Sequence, residues 1–155
     1  MKKIVALIFF QLILNYSAEA ISLDLYQLGD WSRVTALREN EPMIVHFWGV
    51  TCGPCMSEMP RWGQFANANH ANVVFIQVDD APKANVRNLA ARLQIDKFRN
   101  YYSNTQFDER MRYEVNRQWQ GETPYTILIG KNGDQSVFSG TADFKKLSLW
   151  LRNNQ

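Results

Sequence analysis

Two nearly uninterrupted hydrophobic runs stand out along an otherwise mixed chain. They are MIVHFW at residues 43–48 and NVVFIQV at residues 72–78. Each is short for a helix and rich in β-branched and aromatic side chains, a pattern typical of strands buried on both faces. Three further strands are predicted at residues 98–102, 125–129 and 136–139. The last two are joined through Asn132-Gly133, a step that favours a hairpin in which both turn residues have positive φ.

Between these strands, hydrophobic positions recur every three to four residues, which predicts amphipathic helices. The predicted helices cover residues 30–39, 53–70, 83–93, 107–115 and 142–152. Asp30 is expected to cap the first helix, and Pro60 is expected to kink the second because proline removes a backbone hydrogen bond. The order of elements predicts an α/β fold with a mixed central sheet, helices on both faces and an antiparallel hairpin at one edge.

The first twenty residues, MKKIVALIFFQLILNYSAEA, differ in character from the rest. Two lysines precede a hydrophobic run from Ile4 to Leu14, and the segment ends in Ala18-Glu19-Ala20. A basic start, a hydrophobic stretch of this length and an A-x-A site are typical of a cleavable signal peptide. The run is shorter than the roughly 20 residues that span a bilayer comfortably. We therefore expect export to a bacterial periplasm with cleavage after Ala20; an uncleaved membrane anchor is the alternative.

Residues 21–155 are expected to form one domain, since they suffice for one hydrophobic core and are too few for two. The whole chain carries 17 basic and 15 acidic side chains. Near-neutral charge without a basic stripe argues against a partnership with nucleic acid. No later hydrophobic run suggests a membrane span.

The chain has two cysteines, Cys52 and Cys55, and four interpretations of the pair can be weighed. A purely structural disulfide is disfavoured, because a bridge across so small a loop gains little by restricting the unfolded chain. A structural zinc site needs four ligands, and His46 and His70 lack the close spacing that would complete one. Haem attachment needs a histidine directly after the second cysteine, where this chain has Met56. The remaining interpretation is a redox-active dithiol.

The neighbouring residues favour the redox interpretation. Cys52 follows a buried strand and is predicted to stand at the start of a helix, where unpaired N–H groups and the helix dipole lower a thiol pKa. Its thiolate can attack a disulfide, and Cys55, one turn later, can resolve the mixed disulfide. Gly53 would let the chain approach closely, and Pro54 suits the first helical turn because it needs no N–H partner.

The stretch FWGVTCGPCMSEMP, together with Thr123-Pro124 ahead of a later strand, resembles the thioredoxin superfamily. The pattern Cys-X-X-Cys-X-X-Glu-X-Pro, the predicted signal peptide and an inserted segment at residues 95–119 are similar to TlpA-like periplasmic thiol–disulfide oxidoreductases. The resemblance covers roughly residues 43–152. Thr51 departs from it, since most members have tryptophan before the first cysteine, and substrate contacts there are expected to differ.

The resemblance implies roles for individual residues. Cys52 would be the exposed nucleophile and Cys55 the resolving cysteine. Pro124 would follow a cis peptide bond and face the cysteines, and Thr123 would offer backbone groups to a bound peptide. Glu58 lies three residues after Cys55 and so on the same helical face, where it could accept a proton from Cys55 or raise thiol pKa values. The alternative for Glu58 is a solvated side chain that supports the helix.

Two residues of the run at 43–48 have two interpretations each. His46 is either a buried histidine satisfied by hydrogen bonds, or a proton acceptor that titrates near neutral pH and tunes the thiols from below. Trp48 either packs beside the active site, where substrates touch it, or is an ordinary core residue. The sequence leaves these alternatives open.

The predicted function is that of an exported thiol–disulfide oxidoreductase, without cofactor or metal, which reduces protein disulfides through Cys52 and Cys55. The reducing direction follows from the resemblance, since Cys-Gly-Pro-Cys is thioredoxin's own active-site sequence. A reductase in an oxidising periplasm needs a dedicated donor, and the family implies a membrane thiol–disulfide electron carrier. The alternatives are a disulfide oxidase or isomerase, a thiol peroxidase, and a non-catalytic module that binds peptides in the groove beside Pro124.

Overall fold

A computed structural model of the chain describes residues 23–155. The predicted signal peptide and its cleavage site lie outside the described residues. Within residues 23–155, no helix is long and hydrophobic enough to cross a membrane.

Strands and helices alternate along most of the described chain, as predicted. In order they are β1 (Leu23–Leu25), α1 (Trp31–Ala36), β2 (Met43–Trp48), α2 (Gly53–Ala68), β3 (Asn72–Gln77), α3 (Lys83–Arg92), β4 (Arg99–Tyr102), α4 (Glu109–Val115), β5 (Tyr125–Ile129), β6 (Gln135–Ser139) and α5 (Phe144–Asn154).

The strands form one mixed sheet in the order β1-β4-β3-β2-β5-β6. The first four strands of that order run parallel, β5 runs antiparallel to β2, and β6 pairs with β5 at the edge. This arrangement confirms the predicted α/β fold and its antiparallel hairpin. Part of the segment 95–119 lies inside the sheet, because β4 pairs with β1 on one side and β3 on the other.

The sheet separates two hydrophobic cores, and β2 contributes to both. Ile44 and Trp48 face the core under α2, α3 and α5, while Val45 and Phe47 face the core under α1 and α4. Every residue of β2 is buried. Burial on both faces explains the continuous hydrophobic run in this strand, because no position of a doubly covered strand meets solvent.

Two local predictions are wrong in detail. Asp30 stands at the N-cap of α1, but its carboxylate makes no cap hydrogen bond. It accepts the Gln27 N–H instead (2.8 Å) and pairs with Arg33 (3.1 Å). In the β5–β6 loop, Gly133 alone has positive φ (+86°), and its N–H donates to the Gly130 carbonyl (2.9 Å). One left-handed residue is enough here, because the loop is longer than a two-residue hairpin turn.

Helix α2 continues through Pro60 and ends at Ala68. Proline removes the hydrogen bond that its own N–H would donate, yet the residues on both sides of Pro60 remain helical. The helix packs tightly on the end of α3. A Cβ atom built on Gly63 would lie 2.6 Å from the carbonyl oxygen of Gln94.

We predict that Gly63→Ala lowers the free energy of unfolding by about 1–3 kcal/mol, because the added methyl group must displace backbone rather than a flexible side chain. Urea denaturation measures the change. Gln64→Ala is the matched control, since Gln64 is exposed on the same helix and should change stability by no more than about 0.5 kcal/mol. Equal effects of the two substitutions would contradict the tight contact.

Candidate active site

Cys52 and Cys55 form a disulfide at the start of α2, with their Cα atoms 5.2 Å apart. Cys52 is the N-cap residue, and its Sγ accepts the backbone N–H of Cys55 at 3.2 Å. Cys52 is half-buried and Cys55 is fully buried. In the reduced protein, the same N–H group and the helix dipole would favour negative charge on the Cys52 sulfur.

The Thr123–Pro124 loop lies directly beside the disulfide. Its peptide bond is cis, as the resemblance implies. The Thr123 carbonyl oxygen is 3.5 Å from Cys52 Sγ. Pro124 is buried, and its carbonyl accepts the Gly140 N–H (2.8 Å), which ties the loop to the hairpin. The structure therefore brings together the three predicted positions Cys52, Thr123 and Pro124.

Glu58 is buried, with only 5% of its surface exposed, so the interpretation of a solvated glutamate is wrong. Its Oε1 accepts the Trp62 indole N–H (3.1 Å), and its Oε2 accepts the Ala142 N–H (2.8 Å). Burial raises the pKa of Glu58, and these two hydrogen bonds partly oppose the rise because they favour the ionised form. A buried carboxyl group whose proton affinity is raised thus lies one helical turn after Cys55.

His46 lies beneath this carboxyl group and is fully buried. Its Nδ1 is 2.9 Å from Thr126 Oγ1, whereas its Nε2 has no hydrogen-bond partner and lies 3.5 Å from Glu58 Oε1. Burial lowers the pKa of His46 from its ordinary value of 6.5 to about 3. The ring is therefore neutral at neutral pH, and the contact with Glu58 is not an ion pair. The expectation that His46 titrates near neutral pH is wrong.

The structure separates the two interpretations of Trp48 and corrects the expectation for Gly53. Trp48 has no exposed surface and packs in the same core as Cys55, so it is a core residue rather than a substrate contact. Gly53 and Pro54 are exposed at the start of α2. A Cβ on Gly53 would have no atom within 4 Å, so the expected close approach does not occur within the chain. Pro54 lies in the first turn of α2, as predicted.

Asp79, which follows β3, holds the loop that leads into Cys52. Its carboxylate accepts hydrogen bonds from the Thr51 N–H (3.0 Å) and the Thr51 hydroxyl (3.2 Å). A Cβ on Gly49 would lie 2.9 Å from Asp79 Oδ2, so glycine allows the carboxylate to approach. Thr51 thus donates hydrogen bonds to Asp79, and Gly49 leaves room for the same carboxylate.

Comparison with known proteins agrees with this geometry. The family model described as Thioredoxin matches residues 30–112, more than half of the chain. The chain belongs to the thioredoxin family. Thioredoxin Asp f 28 of Aspergillus fumigatus is 41% identical over 44 residues, which cover 28% of this chain and 40% of that thioredoxin. The chain therefore matches less than half the length of this curated relative.

Several solved structures share the fold. A DsbF homologue from Corynebacterium diphtheriae has a TM-score of 0.65 at 20% identity, covering 77% of this chain and 75% of that one. A thiol:disulfide interchange protein from Chlorobium tepidum has a TM-score of 0.62 at 20% identity, covering 77% and 83%. A secreted Mycobacterium tuberculosis disulfide oxidoreductase homologous to E. coli DsbE has a TM-score of 0.60 at 19% identity, covering 76% and 85%.

Two supporting residues of this thioredoxin-family site, Asp79 and Trp119, are not among those predicted. The position of Asp79 could have been inferred, because it directly follows a strand predicted to run beside β2. Trp119 donates its indole N–H to the Glu122 carbonyl (2.9 Å) and stacks on Tyr125 at 4.6 Å, so it anchors both ends of the Thr123–Pro124 loop. No sequence pattern marks that role.

The lowered pKa of His46 predicts a specific dependence of stability on pH. Below pH 6.5, His46 binds a proton in the unfolded chain but stays neutral in the folded protein. The free energy of unfolding therefore falls as the pH falls. The free energy of unfolding of the wild-type protein, relative to that of His46→Gln, should decrease by up to about 1.4 kcal/mol per pH unit between about pH 6 and pH 4.

Urea denaturation at a series of pH values measures this difference. Gln64→Ala is the control, since Gln64 is exposed and does not titrate; its profile should run parallel to that of the wild type. A His46→Gln profile that is also parallel to the wild type would show that His46 protonates normally in the folded protein.

Proposed function

We propose that this protein is a thiol–disulfide oxidoreductase that reduces disulfides in exported proteins. One observation carries the proposal: the half-buried Cys52 stands at a helix N-terminus beside Thr123, with the fully buried Cys55 behind it. This arrangement gives an accessible sulfur that is electrostatically suited to be a thiolate, and a second sulfur that only an intramolecular reaction reaches.

The proposed reaction is a two-electron exchange. In the reduced protein, the Cys52 thiolate attacks one sulfur of the substrate disulfide, which forms a mixed disulfide and releases a substrate thiolate. The Cys55 thiol then loses its proton and attacks the Cys52 sulfur, which releases the second substrate thiolate and forms the Cys52–Cys55 disulfide. The two substrate thiolates take up two protons, so the substrate is reduced and the protein is oxidised.

Glu58 is the proposed acceptor of the Cys55 proton. It lies one turn after Cys55, it is buried, and burial raises its proton affinity towards that of a working base. We propose that His46 tunes the thiols only indirectly, as a neutral ring beside Glu58 Oε1, because its own pKa is too low for it to take the proton at neutral pH.

The proposed substrate site is the backbone of Thr123. A peptide lying next to Cys52 could pair with it as an extra strand, a common mode of peptide recognition. Pro124 would shape that surface, although its carbonyl is already paired with Gly140. Gly53 and Pro54 would leave the approach to Cys52 open.

Export, the reducing direction and the electron donor also belong to the proposal. The signal-peptide pattern of residues 1–20 and the similarity to a secreted disulfide oxidoreductase support export. The Cys-Gly-Pro-Cys sequence and the resemblance to TlpA-like proteins support reduction. A membrane thiol–disulfide carrier is the proposed donor, because an oxidising compartment would otherwise leave the cysteines oxidised.

Trapping experiments test the exchange mechanism. We predict that Cys55→Ser, expressed with its natural signal segment, accumulates mixed disulfides with partner proteins, because Cys52 can still attack but nothing resolves the product. Cys52→Ser is the matched control and should form none of these species. The measurement is non-reducing gel electrophoresis followed by identification of the partners after reduction.

Two outcomes would contradict the mechanism. If Cys52→Ser trapped partners as well as Cys55→Ser, the roles of the two cysteines would be wrong. If the wild type showed no disulfide exchange and the Cys52→Ser, Cys55→Ser double variant bound unfolded polypeptide as tightly as the wild type, the protein would be a peptide-binding module without thiol chemistry.

A further inference from the structure

A groove runs along helix α3 from the loop that carries Cys52. Its volume is about 540 Å³, within the range of natural ligand sites. The groove is lined by Val50, Ala81, Asn85, Asn88, Leu89 and Arg92. Because Val50 stands two residues before Cys52, a polypeptide bound to the active site can continue directly into this groove.

The lining residues of α3 occupy one face of the helix, since they follow the spacing i, i+3, i+4 and i+7. A different stripe, Val86 and Ala90, is buried in the core. Leu89 is half-buried and lies in the groove. The groove therefore combines an apolar floor with two side-chain amides, groups that can pair with the backbone of an extended peptide.

Helix α3 carries only positive charge. Its charged residues are Lys83, Arg87 and Arg92, and it contains no acidic residue. Lys83 lies over the ring of Tyr102 (5.6 Å). Among residues 23–155, neither Arg87 nor Arg92 forms a salt bridge. Arg92 thus places a positive charge without a protein partner at the end of the groove.

We propose that this groove selects substrates whose disulfide is followed or preceded by an apolar residue and then an acidic residue, with the carboxylate meeting Arg92. The proposal deepens the proposed function and rests on it. The apolar side chain would lie on Val50 and Leu89, and the asparagine amides would pair with the substrate backbone. Arg92 would determine the preference for acidic substrates, because arginine recognises carboxylates through paired hydrogen bonds.

The length of the groove fixes where the acidic residue should stand. From Asn85 to Arg92 the helix rises by about 10 Å, which about three residues of extended chain can span. Val50 precedes Cys52 by two positions, and about two further residues of an extended substrate would cover that step, which places the carboxylate about five residues from the reacting cysteine of the substrate.

The test uses synthetic peptides that contain one disulfide and no charge except at one position. Glu, Gln or Lys is placed five residues before or after a cysteine, which gives two sets of three peptides. For one set, wild-type protein should reduce the Glu peptide with a kcat/KM about fivefold above that of the Gln peptide, the effect of about 1 kcal/mol from a partly exposed ion pair. The preference should shrink as salt is raised, because salt screens it.

Charge reversal makes the test specific. Arg92→Glu should abolish the preference for Glu and favour the Lys peptide. Arg152→Glu is the matched control: Arg152 is exposed on α5, the net charge changes equally, and the Glu preference should remain. Reduction of 2-hydroxyethyl disulfide, which is small and uncharged, should be the same for all three proteins.

Equal rates for the Glu and Gln peptides in both sets, or a Glu preference that survives Arg92→Glu, would overturn the groove proposal. Failure of wild-type protein to reduce 2-hydroxyethyl disulfide would instead overturn the proposed function. In that case, peptide binding alone tests the groove proposal, measured as the fluorescence anisotropy of labelled Glu and Gln peptides. Tighter binding of the Glu peptide that is lost in Arg92→Glu would support it, and equal affinities would reject it.

Discussion

The hydrogen bond from the Cys55 N–H to the Cys52 sulfur is the interaction on which the site depends. It exists because β2 ends shortly before Cys52, and α2 begins immediately after it. The sulfur consequently occupies the place where a helix N-terminus accepts negative charge. Asp79 fixes the loop before Cys52, and Trp119 fixes the loop that carries Thr123. The loops held by Asp79 and by Trp119 therefore both help to fix the position of the Cys52 sulfur.

Below that sulfur, the protein buries a carboxyl group and an imidazole close together. The two could form an ion pair, but burial lowers the pKa of His46 so far that the ring stays neutral. Burial simultaneously raises the pKa of Glu58, because a buried carboxylate loses its hydration. Both groups are thus driven towards their neutral forms. The ionised form of Glu58, whose proton affinity burial raises, is suited to taking up one proton beside a thiol, which a surface glutamate could not do as effectively.

Much of the fold could be predicted because its strongest signals are local. Strands β2 and β3 are covered on both faces and appear as continuous hydrophobic runs, and the helices show their periodicity directly. The cysteine pair at the start of α2 identified the chemistry. The Asp30 cap and the hairpin turn were predicted less well, because several side-chain and backbone arrangements satisfy the same sequence there.

The remaining features depend on contacts between distant residues. The neutrality of His46 follows from complete burial beside Thr126, which comes from β5 and is 80 residues away along the chain. The hydrogen bond to Glu58 from Ala142 spans 84 residues. The sequence leaves open whether Trp48 touches substrates or lies in the core, and only the packing of the sheet against the helices shows that it is enclosed. No pattern within a short window of sequence records these contacts.

The reduction potential of the Cys52–Cys55 pair tests the central claim most directly. It is measured at equilibrium against a series of dithiothreitol or glutathione mixtures, with the disulfide content read after alkylation. A disulfide reductase should show reversible two-electron behaviour with a potential near that of thioredoxin, about −270 mV. A potential near about −120 mV, that of a strong disulfide donor, would contradict the reducing direction and indicate an oxidase. A pair that did not cycle reversibly would contradict the redox function itself.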